Sequence, residues 1–177
     1  MTCALSYFFF SYADRDKQDV FNMLSSIAGQ LCRQVKNIPA SVITHYKKNM
    51  SRPPSSIMLE IISCLSQCFH RVYIVVDALD EIEVNQRDLL IPAIKDLVKM
   101  SRLFNINVLM TSRREQYLVD GFTGISLQQM SLTTSIVDED IKLYVSKIIS
   151  TELPFCNWSD ELKTNMCDTL TKEANGM

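Results

Sequence analysis

Three carboxylates follow directly after an apolar segment rich in β-branched residues. Residues 72–76 read Val-Tyr-Ile-Val-Val, and Asp77, Asp80 and Glu81 come next. Such a segment is typical of a buried strand covered on both faces by helices in a parallel sheet. Ligands of these sheets bind at the carboxyl ends of the strands, where an aspartate can hold a magnesium ion that bridges nucleotide phosphates. The alternative is that the acids occupy the first turn of a helix, where carboxylates are common.

A second polar group follows the next predicted strand. Residues 107–111 form that strand, and Ser112, Arg113 and Arg114 come after it at the same predicted edge of the sheet. Phosphoryl transfer requires charge neutralisation and positioning more than covalent chemistry, so an aspartate for the metal, an acid that orients water and a nearby arginine are the expected types. The alternative for the two arginines is a solvated basic turn.

Extended apolar segments alternate with helical patterns, which predicts an α/β fold with a parallel sheet between layers of helices. Asp14 or Asp16 is the expected cap of the first helix, and Pro92 is expected near the first turn of the fourth. The predicted strands are 5–12, 72–76, 107–111 and one within 124–132, and the predicted helices are 20–35, 39–46, 56–69, 89–98, 141–149 and 162–170.

The composition argues against a nucleic-acid-binding protein, a protein of anionic membrane surfaces and a disulfide-rich protein. The 177 residues are 47% hydrophobic and carry a formal net charge of −2, which supplies a core but no basic surface for nucleic acid or an anionic membrane. Six cysteines in a chain of this length do not make a disulfide scaffold, and reduced thiols in a cytoplasmic protein are the expectation.

Three segments together resemble a known group. Phe8-Phe9-Phe10-Ser11-Tyr12, the segment 75–81 and Met110-Thr111-Ser112-Arg113-Arg114-Glu115 resemble consecutive motifs of a NACHT domain, in the nephrocystin-type form found in fungal STAND P-loop NTPases. Those proteins are nucleotide-gated signalling switches that self-assemble and often carry ankyrin or other repeats. The resemblance implies a NACHT core over 1–135 and a helical extension over 136–177.

The resemblance also implies roles for single residues. Asp77 would hold Mg²⁺ with ATP or GTP, Asp80 and Glu81 would polarise the attacking water, and Thr111 and Arg113 would contact nucleotide, with Arg113 reading the γ-phosphate. One motif of the group, G-x-x-x-x-G-K-[ST], occurs nowhere in these residues. The expectation is therefore an incomplete core, lacking its first strand and P-loop, that does not hydrolyse nucleotide alone. Without that strand, about four apolar side chains would be exposed to water, at a cost of about 1.5–3 kcal/mol each. The remaining core would then be marginally stable.

Two other functions remain open. Residues 9–17, Phe-Phe-Ser-Tyr-Ala-Asp-Arg-Asp-Lys, also resemble the opening of TIR domains, flavodoxin-like signalling modules of which some cleave NAD, with Glu81 or Glu60 as the candidate catalytic acid. The other possibility is a non-catalytic module, derived from an NTPase, that mediates assembly with other chains.

Overall fold

A computed structural model describes residues 3–48, 52–130 and 135–174. Residues up to Ile125 form one compact unit around three parallel strands: β1 (Cys3–Phe9), β2 (Arg71–Asp77) and β3 (Ile106–Met110). Their order in the sheet is β1-β2-β3, with Phe9 opposite Asp77 and Val76 opposite Met110. The parallel α/β architecture predicted from the alternating pattern is confirmed, and the ends of all three strands lie at one edge.

The helices of this unit follow the predicted periodicities, and their bounds are α1 (Val20–Gln34), α2 (Ala40–Lys48), α3 (Ser55–Ser66), α4 (Arg87–Leu103) and α5 (Gln116–Gly121). Pro39 precedes α2 and Pro54 precedes α3, and their carbonyls accept bonds from the first turns. Proline suits this place because its fixed φ is compatible with a helix start. Gly121 allows α5 to approach α4, since a Cβ there would lie 2.7 Å from Cδ1 of Ile91.

Three details differ from the expectations. β1 begins at Cys3 and ends at Phe9, because residues 11–17 turn back on themselves through a bond from the Ser11 N–H to the Lys17 carbonyl at 3.2 Å. Asp14 caps a 3₁₀ turn (Arg15–Lys17), so the cap of α1 is Asp19, which accepts from the Asn22 N–H at 2.9 Å. Pro92 is the sixth residue of α4, one turn further in than expected.

The sheet is buried on one face only, which corrects the expectation of a strand covered on both. Alternate side chains of the strands, including Phe8, Ile74 and Val76, pack into the core with α1, α3 and α4. The opposite face exposes large apolar side chains: Leu5, Tyr7, Phe9, Tyr73 and Leu109 are each between 40 and 60% exposed. The strand composition alone could not show this difference, because apolar residues stand on both sides of the pleat.

The two edges of the sheet differ. On the outer side of β1, the Gln34 amide bonds to both the N–H and the carbonyl of Leu5 (3.2 and 2.7 Å), and the Gln30 amide does the same at Tyr7 (3.0 and 2.7 Å). Beyond β3, the described residues supply no further strand. Residues 124–130 do not pair with any of the described strands, so the predicted fourth strand is wrong over these residues. An extended segment without a paired neighbour is not stable as a strand. Residues 131 and 132 of that prediction lie outside the described residues.

The described residues from 126 onwards form a second unit that contains α6 (Ser135–Thr151) and α7 (Asp160–Ala174). Lys142 of α6 pairs with Asp168 of α7 at 2.9 Å, and Ile149 and Cys167 are buried. Trp158 packs edge-on against Phe155 in the connecting turn, with ring centres 5.0 Å apart. The expected domain boundary at residue 135 stays a prediction. Among the helices described, none has the length and apolar character that crossing a bilayer requires.

Candidate functional site at the carboxyl edge of the sheet

The predicted acids lie on a sharp turn at the end of β2. Asp77 is the last residue of the strand, and Ala78 then adopts the left-handed conformation, with φ 57° and ψ 51°. A 3₁₀ turn over Leu79–Glu81 follows, and its Leu79 side chain is buried. The left-handed residue is unusual for alanine and ends the strand at once. Asp80 and Glu81 are therefore held at the sheet edge and do not continue along the strand direction.

Thr111 joins the end of β3 to this turn. Its hydroxyl donates to Asp77 Oδ1 and accepts from the Ala78 N–H at 3.1 Å. Its main chain continues the ladder, because its N–H donates to the Val76 carbonyl and its carbonyl accepts from the Leu79 N–H, both at 3.0 Å. The structure thus brings Asp77 and Thr111, two of the predicted nucleotide-site residues, into direct contact.

Asp80 contacts the two residues after Thr111. Its Oδ1 accepts from the Arg113 N–H at 3.0 Å and from the Ser112 hydroxyl at 3.2 Å. Its Oδ2 lies 3.7 Å from Nε of Arg113. The Asp80 side chain is only 10% exposed, whereas that of Arg113 is 67% exposed. Asp80 and Arg113 are therefore also in direct contact, and the arginine faces solvent.

Glu81 connects the turn to the end of β1. Its Oε2 accepts from the Tyr12 N–H at 3.0 Å, and the Phe10 N–H donates to the Asp77 carbonyl at 3.1 Å. The Gln18 amide then closes the turn after β1 by donating to the carbonyls of Ser11 and Tyr12 at 3.0 and 2.6 Å. The chain leaving all three strands is thus tied together around the acidic turn.

Sequence reasoning missed two side chains beside this turn. The Tyr117 hydroxyl donates to the Leu79 carbonyl at 3.0 Å, and the Arg87 guanidinium lies over the Tyr117 ring, 4.1 Å from its centre. Burial raises the pKa of the Tyr117 phenol, and the nearby Arg87 charge opposes that shift. Neither residue belongs to a motif in the sequence, so only the fold could reveal their place.

The predicted residues form two contacting pairs, Asp77 with Thr111 and Asp80 with Arg113. Within the described ranges, no hydrogen bond or ion pair joins one pair to the other. A cavity lined by Ser66, Gln67, Phe69, Phe104 and Asn105 lies at the opposite edge, where β2 and β3 begin, so it is separate from these acids.

Asp77 is the acid at this edge whose surroundings bear on whether a metal ion could bind. Among the residues that the structure describes, no group of three or more His, Cys, Asp or Glu side chains is arranged to hold a metal. Magnesium in nucleotide sites takes one or two carboxylates and completes its shell with phosphate oxygens and water. Asp77 fits this requirement, because it offers an oxygen ligand and only its Oδ1 bonds to a described protein group, Thr111.

The comparison with family models is decisive for the class of domain. The model described as nephrocystin 3, N-terminal, matches residues 1–113. The chain belongs to the nephrocystin 3 N-terminal family. The part matched by this family contains β1, β2 and β3 and ends at Arg113, so both contacting pairs lie inside it. Comparisons with curated proteins and with solved structures give no match.

Proposed function

We propose that this nephrocystin-type domain carries the magnesium- and γ-phosphate-facing side of a nucleoside triphosphate site of the NACHT type, within a signalling switch of the STAND class. The observation that supports the proposal best is the position of the two pairs. Asp77–Thr111 and Asp80–Arg113 occupy the adjoining carboxyl ends of β2 and β3. Nucleotides bind at this edge of open parallel sheets.

The chemistry of each group follows from its environment. Asp77 would hold Mg²⁺, with Thr111 orienting its carboxylate through the hydroxyl bond. A bound Mg²⁺ would neutralise charge on the β- and γ-phosphate oxygens of ATP or GTP. The Arg113 guanidinium is exposed and its contact with Asp80 is long, so it is available to an incoming anion. Glu81 is the acid beside the Tyr12 main chain, at the end of β1.

These residues supply part of a phosphoryl-transfer site. The glycine- and lysine-containing loop that surrounds phosphates in P-loop enzymes is not among the 177 residues. In those enzymes a Ser or Thr of the loop shares the metal with an aspartate, the role proposed here for Asp77. We therefore expect the purified 177-residue chain to show no nucleotide hydrolysis. Turnover that Asp77→Ala abolishes would contradict that expectation.

Manganese tests the metal site directly, because Mn²⁺ replaces Mg²⁺ on oxygen ligands and broadens nearby amide signals in NMR spectra. With ATP or GTP present, we expect broadening centred on the amides of Asp77, Ala78 and Thr111. Asp77→Asn should remove it. Asp96→Asn is the matched control, since Asp96 is an exposed acid on α4 that pairs with Lys99.

Two outcomes would overturn the proposal. One is broadening that is centred away from the carboxyl edge, and the other is broadening at that edge that persists in Asp77→Asn. Both can be read without catalytic turnover.

The exposed sheet face favours a second candidate function, a non-catalytic assembly module. Leu5, Tyr7, Phe9, Tyr73 and Leu109 form an exposed apolar surface, and contiguous apolar surfaces often mediate protein contacts. Sedimentation with and without ATP or GTP and Mg²⁺ separates the candidates. Self-assembly that ignores nucleotide, together with absent Mn²⁺ binding at Asp77, would favour the assembly module.

The strand order gives no support to the TIR-like alternative. In flavodoxin-like folds the first strand lies between the second and the third. In the described residues β1 instead lies at an edge and pairs with β2. We therefore do not propose NAD cleavage through Glu81 or Glu60.

A further inference from the structure

Asp80 differs from the two other acids of the turn in how fully its oxygens are engaged. Its Oδ1 accepts from the Arg113 N–H, and its Oδ2 faces Nε of Arg113. The Ser112 hydroxyl lies 3.2 Å from Oδ1 and 2.7 Å from the Arg113 carbonyl, and it shares its one proton between them. The side chain is almost buried. By contrast, Asp77 and Glu81 each use one oxygen in a bond to a described protein group.

A carboxylate that polarises water needs a free lone pair directed at the water. The lone pairs of Asp80 Oδ1 already point at the main chain and side chain of the segment after β3. A bond between a charged carboxylate and a main-chain N–H is among the stronger hydrogen bonds in proteins. Its geometry suits holding a loop in place.

We propose that Asp80 is a positioning residue, which fixes the main chain at Ser112 and Arg113 and thereby places the Arg113 guanidinium at the carboxyl edge. Only the identity of the anion that Arg113 would contact rests on the proposed function. The placement itself is a property of the protein without nucleotide. It replaces the expectation that Asp80 shares the polarisation of water with Glu81.

A second connection between the same two segments supports this role. The Tyr117 hydroxyl, in α5, bonds to the Leu79 carbonyl next to Asp80, and Arg87 covers the Tyr117 ring. The segment from Ser112 to Tyr117 is therefore attached to the acidic turn at both ends. The main chain of Arg113 is part of the first attachment, and its side chain is exposed.

Hydrogen exchange at the Arg113 amide measures the placement directly. Asp80→Ala removes the acceptor, and we expect exchange of that amide to become at least about tenfold faster, as for loss of an amide bond to a carboxylate. Asp80→Asn keeps an oxygen that accepts from Arg113 and Ser112 but removes the charge. We expect its exchange rate to lie between those of Asp80→Ala and the wild type, because the hydrogen bond is kept but loses the strength that the charge gives it.

Limited trypsin digestion gives a second measurement at the same place, since trypsin cuts after Arg113 and Arg114. Cleavage there should accelerate in Asp80→Ala and should accelerate less in Asp80→Asn. Asp96→Ala is the matched control, because it removes an exposed acid from α4 and should alter neither measurement. Amides of β2 report whether the core stays folded.

Two results would overturn the proposal: unchanged Arg113 exchange in Asp80→Ala, or Asp80→Asn as fast as Asp80→Ala. If Asp80→Ala also loses protection in β2, Asp80→Leu replaces it, since leucine has the branched shape of asparagine without an acceptor. Equal exchange in Asp80→Asn and Asp80→Leu would then refute positioning by hydrogen bonds. Neither measurement uses nucleotide or metal, so failure here is distinct from failure of the Mn²⁺ test.

Discussion

Two glutamines of α1 protect the outer edge of the sheet, and their removal gives the sharpest test of how this fold is stabilised. Gln30 and Gln34 lie one helical turn apart, and each amide bonds to the N–H and carbonyl of one outward-facing residue of β1. They supply the bonds that a neighbouring strand would make. An uncovered edge strand would otherwise pair with other chains.

The expected loss for Gln30→Ala with Gln34→Ala follows from the bonds counted in the structure. Four main-chain bonds disappear, and at an exposed site each contributes about 0.5 kcal/mol, the low end of the usual range. Alanine recovers about 0.3 kcal/mol of helix propensity at each position. The unfolding free energy should therefore fall by about 1–2 kcal/mol, a large share of a typical total of about 5–15 kcal/mol.

Chemical denaturation measures this loss, and sedimentation velocity shows whether the freed edge of β1 associates. Arg33→Ala is the control, because Arg33 lies beside Gln34 on the exposed side of α1. Gln30→Glu with Gln34→Glu should also destabilise, since a carboxylate cannot donate to the Leu5 and Tyr7 carbonyls. Its charge should nevertheless keep the edge from pairing. If the double alanine variant matched Arg33→Ala in both assays, the reasoning would be refuted.

Three further predictions concern the core and its titration. Gly121→Ala should lower the unfolding free energy by about 1–3 kcal/mol through the clash with Ile91. Gly29→Ala, whose Cβ meets nothing within 4 Å in a helix, should raise it by about 0.5–1 kcal/mol; a rise for Gly121→Ala or a fall for Gly29→Ala would contradict the respective prediction. Ser6→Ala should raise it by about 1 kcal/mol, since the Ser6 hydroxyl is buried without a described partner; a decrease would argue against this. The Tyr117 pKa is raised by burial, so stability should be fully retained below the ordinary value of 10.0 and decline above it. Ultraviolet titration should show one phenol that ionises at a higher pH than an ordinary tyrosine, and Tyr117→Phe should remove that signal.

The order of elements and the place of the acids were predictable because they depend on local signals. The run from Val72 to Val76 has the composition of a buried strand, and an acid just after it must emerge at the carboxyl edge. The same argument placed Thr111 and Arg113 at the neighbouring strand end. The helical stripes of α1 and α4 likewise followed from the spacing of their apolar residues.

The exposure of one face of the sheet was not predictable, because it depends on which helices pack against each face. Leu5 and Phe9 are as apolar as the buried Phe8, so composition cannot tell the two faces of β1 apart. The failed fourth strand has a related cause. Residues 124–130 have no ladder neighbour among the described residues, and strand propensity without a neighbour does not make a strand.

The contacts of Asp77 and Asp80 depend on the backbone conformation of one residue, Ala78, which the sequence does not predict. Ala78 is left-handed, a conformation that costs alanine about 1–2 kcal/mol and is usually taken by glycine or asparagine. If Ala78 were extended, Asp80 would continue along β2 away from Ser112. The turn instead directs Asp80 towards the Arg113 N–H and leaves Asp77 at the strand end with Thr111. Two carboxylates with the same chemistry thus make different contacts, because the left-handed residue between Asp77 and Asp80 turns the chain.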